Sequence, residues 1–221
     1  MKDDPDHAGS LDIEGLDSIR HMEVSRGSGL VLPTVFVPPP SATPQSLSPA
    51  GIGRNGHPPV TRFIRVDDPK SFLICTDGAC LGNGQVEPKA GWTSVFGPLE
   101  QNTNASVNER LEHQSPLGDF AHPTSNRAEL RATIGALRYR NWASEGFTTL
   151  VLATDSEYVV KGATEWIRAW LRKGWRKSDG AVVSNLWKIP REWNTEADRL
   201  AKEGAQLDEE LTFKERMGIS P

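Results

Sequence analysis

The stretch Phe72-Leu73-Ile74-Cys75-Thr76-Asp77-Gly78-Ala79-Cys80 constrains this chain more than any other. A run of strand formers, apolar at nearly every position, reads as a strand buried on both faces rather than on one. It ends in a carboxylate, and Gly78 follows at once, which permits a sharp turn and the close approach of a bulky neighbour. Asp77 is therefore expected at the open carboxyl end of a central strand, where ligands of open α/β sheets bind. An acid held there is costly unless a positive partner meets it. The pattern recurs at Thr149-Leu150-Val151-Leu152-Ala153-Thr154-Asp155. Strand, helix, strand with a right-handed crossover makes the two strands parallel, so Asp77 and Asp155 should end at the same edge.

The 221 residues accommodate one domain with a long tail. Residues 1–60 are dense in Pro, Ser, Gly and Asp, with Pro38-Pro39-Pro40 near the middle, and read as a disordered arm. Residues 61–207 form the expected domain, and 208–221 a charged, fraying tail. Leu30-Val31-Leu32 and Val35-Phe36-Val37 are too short to span a bilayer. The acidic start is unlike a secretion signal, and two cysteines are too few for a disulfide framework, so an intracellular protein, nuclear or cytoplasmic, is expected. A net charge of -4 excludes a globally basic nucleic-acid binder and leaves only a local patch for such a partner.

Thr61–Val66 leads into the Asp77 strand. Gly91–Gly97 and Ala105–Glu112 then complete an antiparallel meander. Asn126 suits a helix N-cap, with Glu129 as its capping-box acid. Glu129 also shares one side of that helix with Ala132 and Ala136, small residues that permit close packing on a sheet and would bring the acid to the sheet's open end. Ser156 is placed to cap the next helix. Between Glu165 and Lys177 lies the local excess of positive charge: Arg168, Arg172, Lys173, Arg176 and Lys177 interleaved with Trp166, Trp170 and Trp175. This is either a solvated face above packed indoles or a surface for a phosphate backbone. The last helix begins around Thr195, packs through Ala197, Leu200, Ala201, Gly204 and Ala205, and carries Asp198 in its first turn. The helix dipole favours an acid there in any case.

Taken together, Thr76–Cys80, Thr124–Leu130, Thr154–Val159 and Glu196–Ala201 resemble the ribonuclease H family of type 1, in that family's order, across about Phe63 to Ala205. Ile189-Pro190-Arg191-Glu192-Trp193-Asn194 is similar to fungal members. The resemblance implies a ribonuclease H-like α/β fold, a mixed five-stranded sheet of three antiparallel and then parallel strands flanked by helices. It implies that Asp77, Glu129, Asp155 and Asp198 are catalytic carboxylates holding two Mg²⁺ ions, or Mn²⁺ in their place. Hard divalent cations take oxygen ligands, and a pair of them suits in-line phosphodiester hydrolysis. By the same carry-over, Cys80, Asn83, Ser125 and Asn126 line a groove for an RNA–DNA hybrid. Arg168, Arg172, Lys173, Trp175, Arg176 and Lys177 form a basic handle, and the expected enzyme is a monomeric endoribonuclease cutting the RNA strand.

The chain departs from the pattern in places. Between Asn185 and Asn194 there is too little sequence for the helix and strand expected before Asp198, so the last strand reads as missing or truncated, leaving an unpaired edge. No histidine follows His122, so the family's mobile-loop histidine has no counterpart. Glu157 and Lys161 stand where many members carry glutamines that touch nucleic acid. The shortened region raises a second reading, a catalytically inactive module that binds nucleic acid through the Arg168–Lys177 helix.

Overall fold

The computed structural model describes residues 32–53, 55, 59–100, 105–115, 118–167 and 183–218. Its centre is the apolar stretch that opened the sequence analysis, now strand β4 (Ser71–Leu81). Along β4, Phe72 and Ile74 face one side and Leu73 and Cys75 the other. Both faces are covered, as the near-continuous apolar run requires.

Five strands form the expected sheet. Strand β5 (Lys89–Val95) pairs antiparallel with the second half of β4, and β6 (Ser106–Arg110) pairs antiparallel with β5. On the other side β7 (Thr149–Thr154) runs parallel to β4, and β8 (Val183–Lys188) runs parallel to β7. The last strand is thus neither missing nor truncated. It is built from Val183-Ser184-Asn185-Leu186-Trp187-Lys188 and begins before Asn185, ahead of the segment in which the sequence reading sought it. Leu186, Trp187 and Ile189 are buried.

Three further short strands join these, two from the N-terminal arm and one at the start of the domain. β1 (Thr34–Val35) pairs parallel with β8, placing Thr34 opposite Asn185 and Val35 opposite Leu186. β2 (Ala50–Ile52) and β3 (Thr61–Ile64) pair antiparallel with each other, and β3 with the first half of β4. Between β1 and β2, helix α1 (Pro44–Leu47) is capped by Thr43. The expectation of disorder through residue 60 therefore fails within 32–53. Leu32 and Leu47 are buried, and Leu47 joins Leu73, Val151, Ala153, Trp187 and Ile189 on the sheet's second face. So little apolar surface could not build its own core, but it suffices when laid on a face already formed.

Helix α2 (Ser125–Arg138) covers the first face through Ala128, Ala132 and Ala136, with Trp92, Phe72, Leu150 and Leu152 beneath it. Ser94 donates from its hydroxyl to the Ala132 carbonyl at 2.9 Å, fixing helix to strand. Its N-cap is Thr124, whose hydroxyl accepts from the Arg127 amide, and not Asn126. Ser156 does cap helix α3 (Glu157–Lys161), accepting from the Val159 amide, and a π-helical turn over Gly162–Trp166 continues it. Helix α4 (Thr195–Gly204) buries the predicted Ala197, Leu200, Ala201 and Gly204. Residues 208–218 do not fray. The His113 and Gln114 amides donate to the Glu210 and Leu211 carbonyls, Arg131 reaches the Lys214 carbonyl, and Gly218 donates to the Tyr139 carbonyl. Among the described residues, no helix is long and apolar enough to cross a membrane.

Candidate active site

The parallel ladder between β4 and β7 ends at Cys75 opposite Ala153. Beyond that point the two chains are no longer partners, and each places an aspartate there. Asp155 follows the last residue of β7. Asp77 lies inside β4, which continues four residues further along β5, so it stands at the end of the parallel ladder and not of the strand. The end of pairing gives both carboxylates room on the same edge.

Glu129 reaches them from α2 because Gly78 carries no side chain. A Cβ on Gly78 would collide with the backbone of Ala128 and Glu129. With Thr124 as N-cap, Glu129 falls in the second turn, beyond the reach of a capping box, and so has no capping role. Carboxylate oxygens of Asp77, Glu129 and Asp155 all lie within 4.8 Å of one another. One oxygen of Glu129, Oε2, is buried without a hydrogen-bond partner.

Burial and crowding set the electrostatics. Asp77 is pushed up to about 7, first by burial, then by the charges of Asp155 and Asp198 and by hydrogen bonding with the neighbouring Asp155 carboxylate. Glu129 is pushed up to about 9 by burial and then by Asp77 and Asp155. The Gly78 amide offsets part of both shifts. Such a set disfavours three negative charges unless a cation enters. The donors are all carboxylate oxygens, and one is orphaned, which fits a hard divalent ion.

Asp198 stands apart from this group. It lies in the first turn of α4 and is close enough to raise Asp77, yet both of its oxygens are engaged elsewhere. Arg191 Nη2 donates to Oδ1 at 2.6 Å and Lys202 Nζ to Oδ2 at 2.5 Å. Partial burial works to raise Asp198, but those two bonds outweigh it and hold the acid below its ordinary value.

Two residues of the site were not singled out from sequence. Asn194, 1% exposed, donates from Nδ2 both to the Thr76 carbonyl at 3.1 Å and to Asp155 Oδ1 at 3.2 Å. It ties the start of α4 to β4 and aims one acid. Arg191, on the single 3₁₀ turn Arg191–Trp193, places Nε 4.0 Å from Asp155 Oδ2 as well as bonding Asp198. The signal for both lay in the Pro190–Asn194 segment, whose residues alternate between polar groups and a Trp without helical or strand period.

The groove candidates are divided. Asn83 Oδ1 accepts from the Ser125 amide at 3.4 Å, which brings the loop after β4 against the first turn of α2, beside exposed Asn126. Cys80 is partly buried near the end of β4. Arg168, Arg172, Lys173, Trp175, Arg176 and Lys177 lie outside the described residues. Glu157 and Lys161 are paired with each other at 2.6 Å on an exposed face.

The RNase H family model, described simply as RNase H, matches residues 69–193. A Ribonuclease H of the cyanobacterium Cyanothece is 41% identical over 128 residues, covering 56% of this chain and 71% of its own. A Ribonuclease H of Nitrobacter hamburgensis is 34% identical over 61% of this chain and 91% of its own. Human Ribonuclease H1 is 31% identical over 69% of this chain, which spans 56% of that longer protein. With more than half its length matched, this chain belongs to the ribonuclease H family.

Proposed function

We propose that the protein is an endoribonuclease that hydrolyses the RNA strand of RNA–DNA hybrids with two bound Mg²⁺ ions, Mn²⁺ being the alternative. The observation that carries this is the convergence of Asp77, Glu129 and Asp155, whose carboxylate oxygens lie within 4.8 Å of one another. Divalent ions in such a site activate a water and stabilise the charge that develops on the leaving 3′ oxygen.

The chain's own residues prepare that chemistry. Asp77, Glu129 and Asp155 would hold one ion, and Asp198, whose charge acts on Asp77, would help to hold the other. Asn194 keeps the Asp155 carboxylate turned towards its neighbours, and Gly78 admits Glu129. The first turn of α2 offers Ser125 and Asn126, with Asn83 and Cys80 across from them, to the minor groove of a hybrid, where polar groups tell RNA from DNA by the 2′-hydroxyl. The basic Arg168–Lys177 stretch suits the phosphates of the other strand. One chain supplies every residue needed, so a monomer suffices. Hybrid binding without cleavage, the second reading, rested on a lost helix and strand, and β8 supplies the strand.

The test is cleavage of a labelled RNA–DNA hybrid with and without Mg²⁺. Cutting of the RNA strand alone, lost on chelation and in Asp155→Asn, is the expected result. Undiminished cutting by Asp155→Asn would remove the proposal.

A further inference from the structure

Helix α2 carries Glu129, yet the stripe it buries is made of Ala128, Ala132, Gly135 and Ala136, with Arg131 among them. Small residues let the helix approach β4 and β5 closely, with Gly135 against the Trp92 ring. They also bury far less apolar area than leucines would, so packing alone is a weak hold on the rotation of the helix. At about 100° per residue, Glu129 and Arg131 fall on opposite flanks of the stripe. A rotation of α2 that shifts one therefore shifts the other.

Arg131, 6% exposed, is gripped from several sides. It meets the Glu112 carboxylate two-pronged, Nη2 to Oε1 at 2.8 Å and Nε to Oε2 at 3.1 Å, and Nη2 also donates to the Lys214 carbonyl at 2.8 Å. Its guanidinium lies 4.3 Å from the centre of the Trp92 ring and 4.7 Å from that of Phe213. Phe213 and Lys214 belong to residues 208–218, beyond the 69–193 that the family model matches. This segment follows α2 to its end, where Arg138 Nη1 donates to Glu215 Oε1 at 2.6 Å and the Gly218 amide to the Tyr139 carbonyl at 2.6 Å. It is also fixed to β6 and the residues after it. Arg216 Nη2 donates to Glu109 Oε2 at 2.9 Å, and the His113 and Gln114 amides donate to the Glu210 and Leu211 carbonyls. The segment thus ties α2 to β6.

We propose that residues 208–218 are a positioning strap and that Arg131, gripped by it, is a positioning residue: together they set the rotation of α2 and so the place of Glu129 beside Asp77 and Asp155. Arg131 takes no part in the chemistry. This rests on the metal-dependent reading above, in which Glu129 must reach the same ion as the two aspartates. A loosened strap lets α2 turn on its alanine stripe, and Glu129 then no longer completes the set of ligands.

The test is a double-variant cycle on the full chain, read by calorimetric titration with Mg²⁺ alone. Phe213→Ala combined with Glu215→Ala loosens the strap while leaving the Arg131–Glu112 pair in place. Mg²⁺ affinity should fall by about tenfold, as when a group that orients a metal ligand is lost. In a Glu129→Gln background the same loosening should cost roughly twofold or less, because the residue through which the strap acts is already gone. Phe213→Tyr, which keeps the ring, should bind Mg²⁺ as the native protein does. Glu145→Ala, which destabilises the fold elsewhere, should leave the affinity unchanged, and thermal melts without metal report how much stability each variant has lost. An equal fall with and without Glu129, or a matching fall in Glu145→Ala, would overturn the strap's role in favour of general loosening. An unchanged affinity in the loosened variant would overturn it outright. Native protein that binds Mg²⁺ and obeys this cycle but cuts no hybrid would overturn the proposed function and leave the strap standing. If the native protein binds no Mg²⁺, the metal reading falls, and amide exchange in α2 no faster in the loosened variant would then overturn the strap as well.

Discussion

Arg62 on β3 and Glu145 in the loop after α2 are enclosed almost completely, with side chains 0% and 1% exposed. Yet the two charges meet two-pronged, Nε to Oε2 at 2.9 Å and Nη2 to Oε1 at 3.0 Å, with the guanidinium over the rings of Phe96 and Trp142. Arg131 and Glu112 repeat the arrangement beneath α2, with Arg131 over Trp92. At the end of the β4–β7 ladder, Asp77, Glu129 and Asp155 are crowded together with no such arginine enclosed among them in the described residues, and the exposed Arg191 stands 4.0 Å from Asp155. The chain has the means to neutralise a buried acid from within, and among the described residues these two pairs do so. Where it does not, burial and crowding raise Asp77 and Glu129, and an incoming ion can take the place of the missing positive charge. Stability is set by the first kind of site and chemistry by the second.

The sharpest break in that contrast is Asp77→Asn. Hybrid cleavage should fall by about 10²–10³-fold or more, as when a preorganised electrostatic group is removed. The metal-free protein should become more stable near pH 8, by on the order of 2 kcal/mol, because a repelled charge is gone. A lower melting temperature would show that the acids are not frustrated. Glu145→Ala should do the reverse. It strands Arg62 and should cost about 3–5 kcal/mol, measured by urea unfolding, with turnover of the folded protein unchanged. Arg62→Met together with Glu145→Leu should recover most of that loss.

Gly78→Ala lies between the two kinds of site. It pushes α2 from β4 and should cost about 1–3 kcal/mol by overpacking, while weakening Mg²⁺ binding because Glu129 retreats. The pH dependence follows from the raised carboxyls. Asp77 and Glu129 hold protons in the folded chain that the unfolded chain has released, so metal-free stability falls as pH rises from about 4 towards about 7 for Asp77 and about 9 for Glu129. An ion must displace those protons, so the gain in melting temperature on adding Mg²⁺ should grow over the same window. A gain that shrinks with pH would contradict the assignment. The smallest effect separates cap from groove. Thr124→Ala should cost about 1 kcal/mol, and Asn126→Ala almost nothing in stability but a measurable loss of hybrid affinity.

Much of this was legible where the signal is local. The two apolar runs closed by Asp77 and Asp155, the meander, the Ser156 cap and the stripe of α4 all follow from periodicity and residue type. Pairings over long separations were not legible. Thr34–Val35 gives no strand signal of its own and is a strand only because β8 offers an edge. Arg62 and Glu145 lie 83 residues apart, and no pattern announces them. Asn126 is the better N-cap by residue type, yet the helix starts at Ser125 and Thr124 caps it. Of the four acids read from sequence, Asp77, Glu129 and Asp155 come together and Asp198 stands beside them. That Asp198 would be held by Arg191 and Lys202 was not legible, because a charge's partner depends on which turn faces it.

The pairing of β1 with β8 bears on how the chain can be shortened. A protein cut back to residue 69, where the family match starts, would lose β1, β2 and β3 and leave β8 with a bare row of amides and carbonyls. Its first failing would be stickiness. Copies would zip together along the naked strand while the chemistry in each remained sound, and a chemist assaying the supernatant would mistake precipitation for an inactive enzyme.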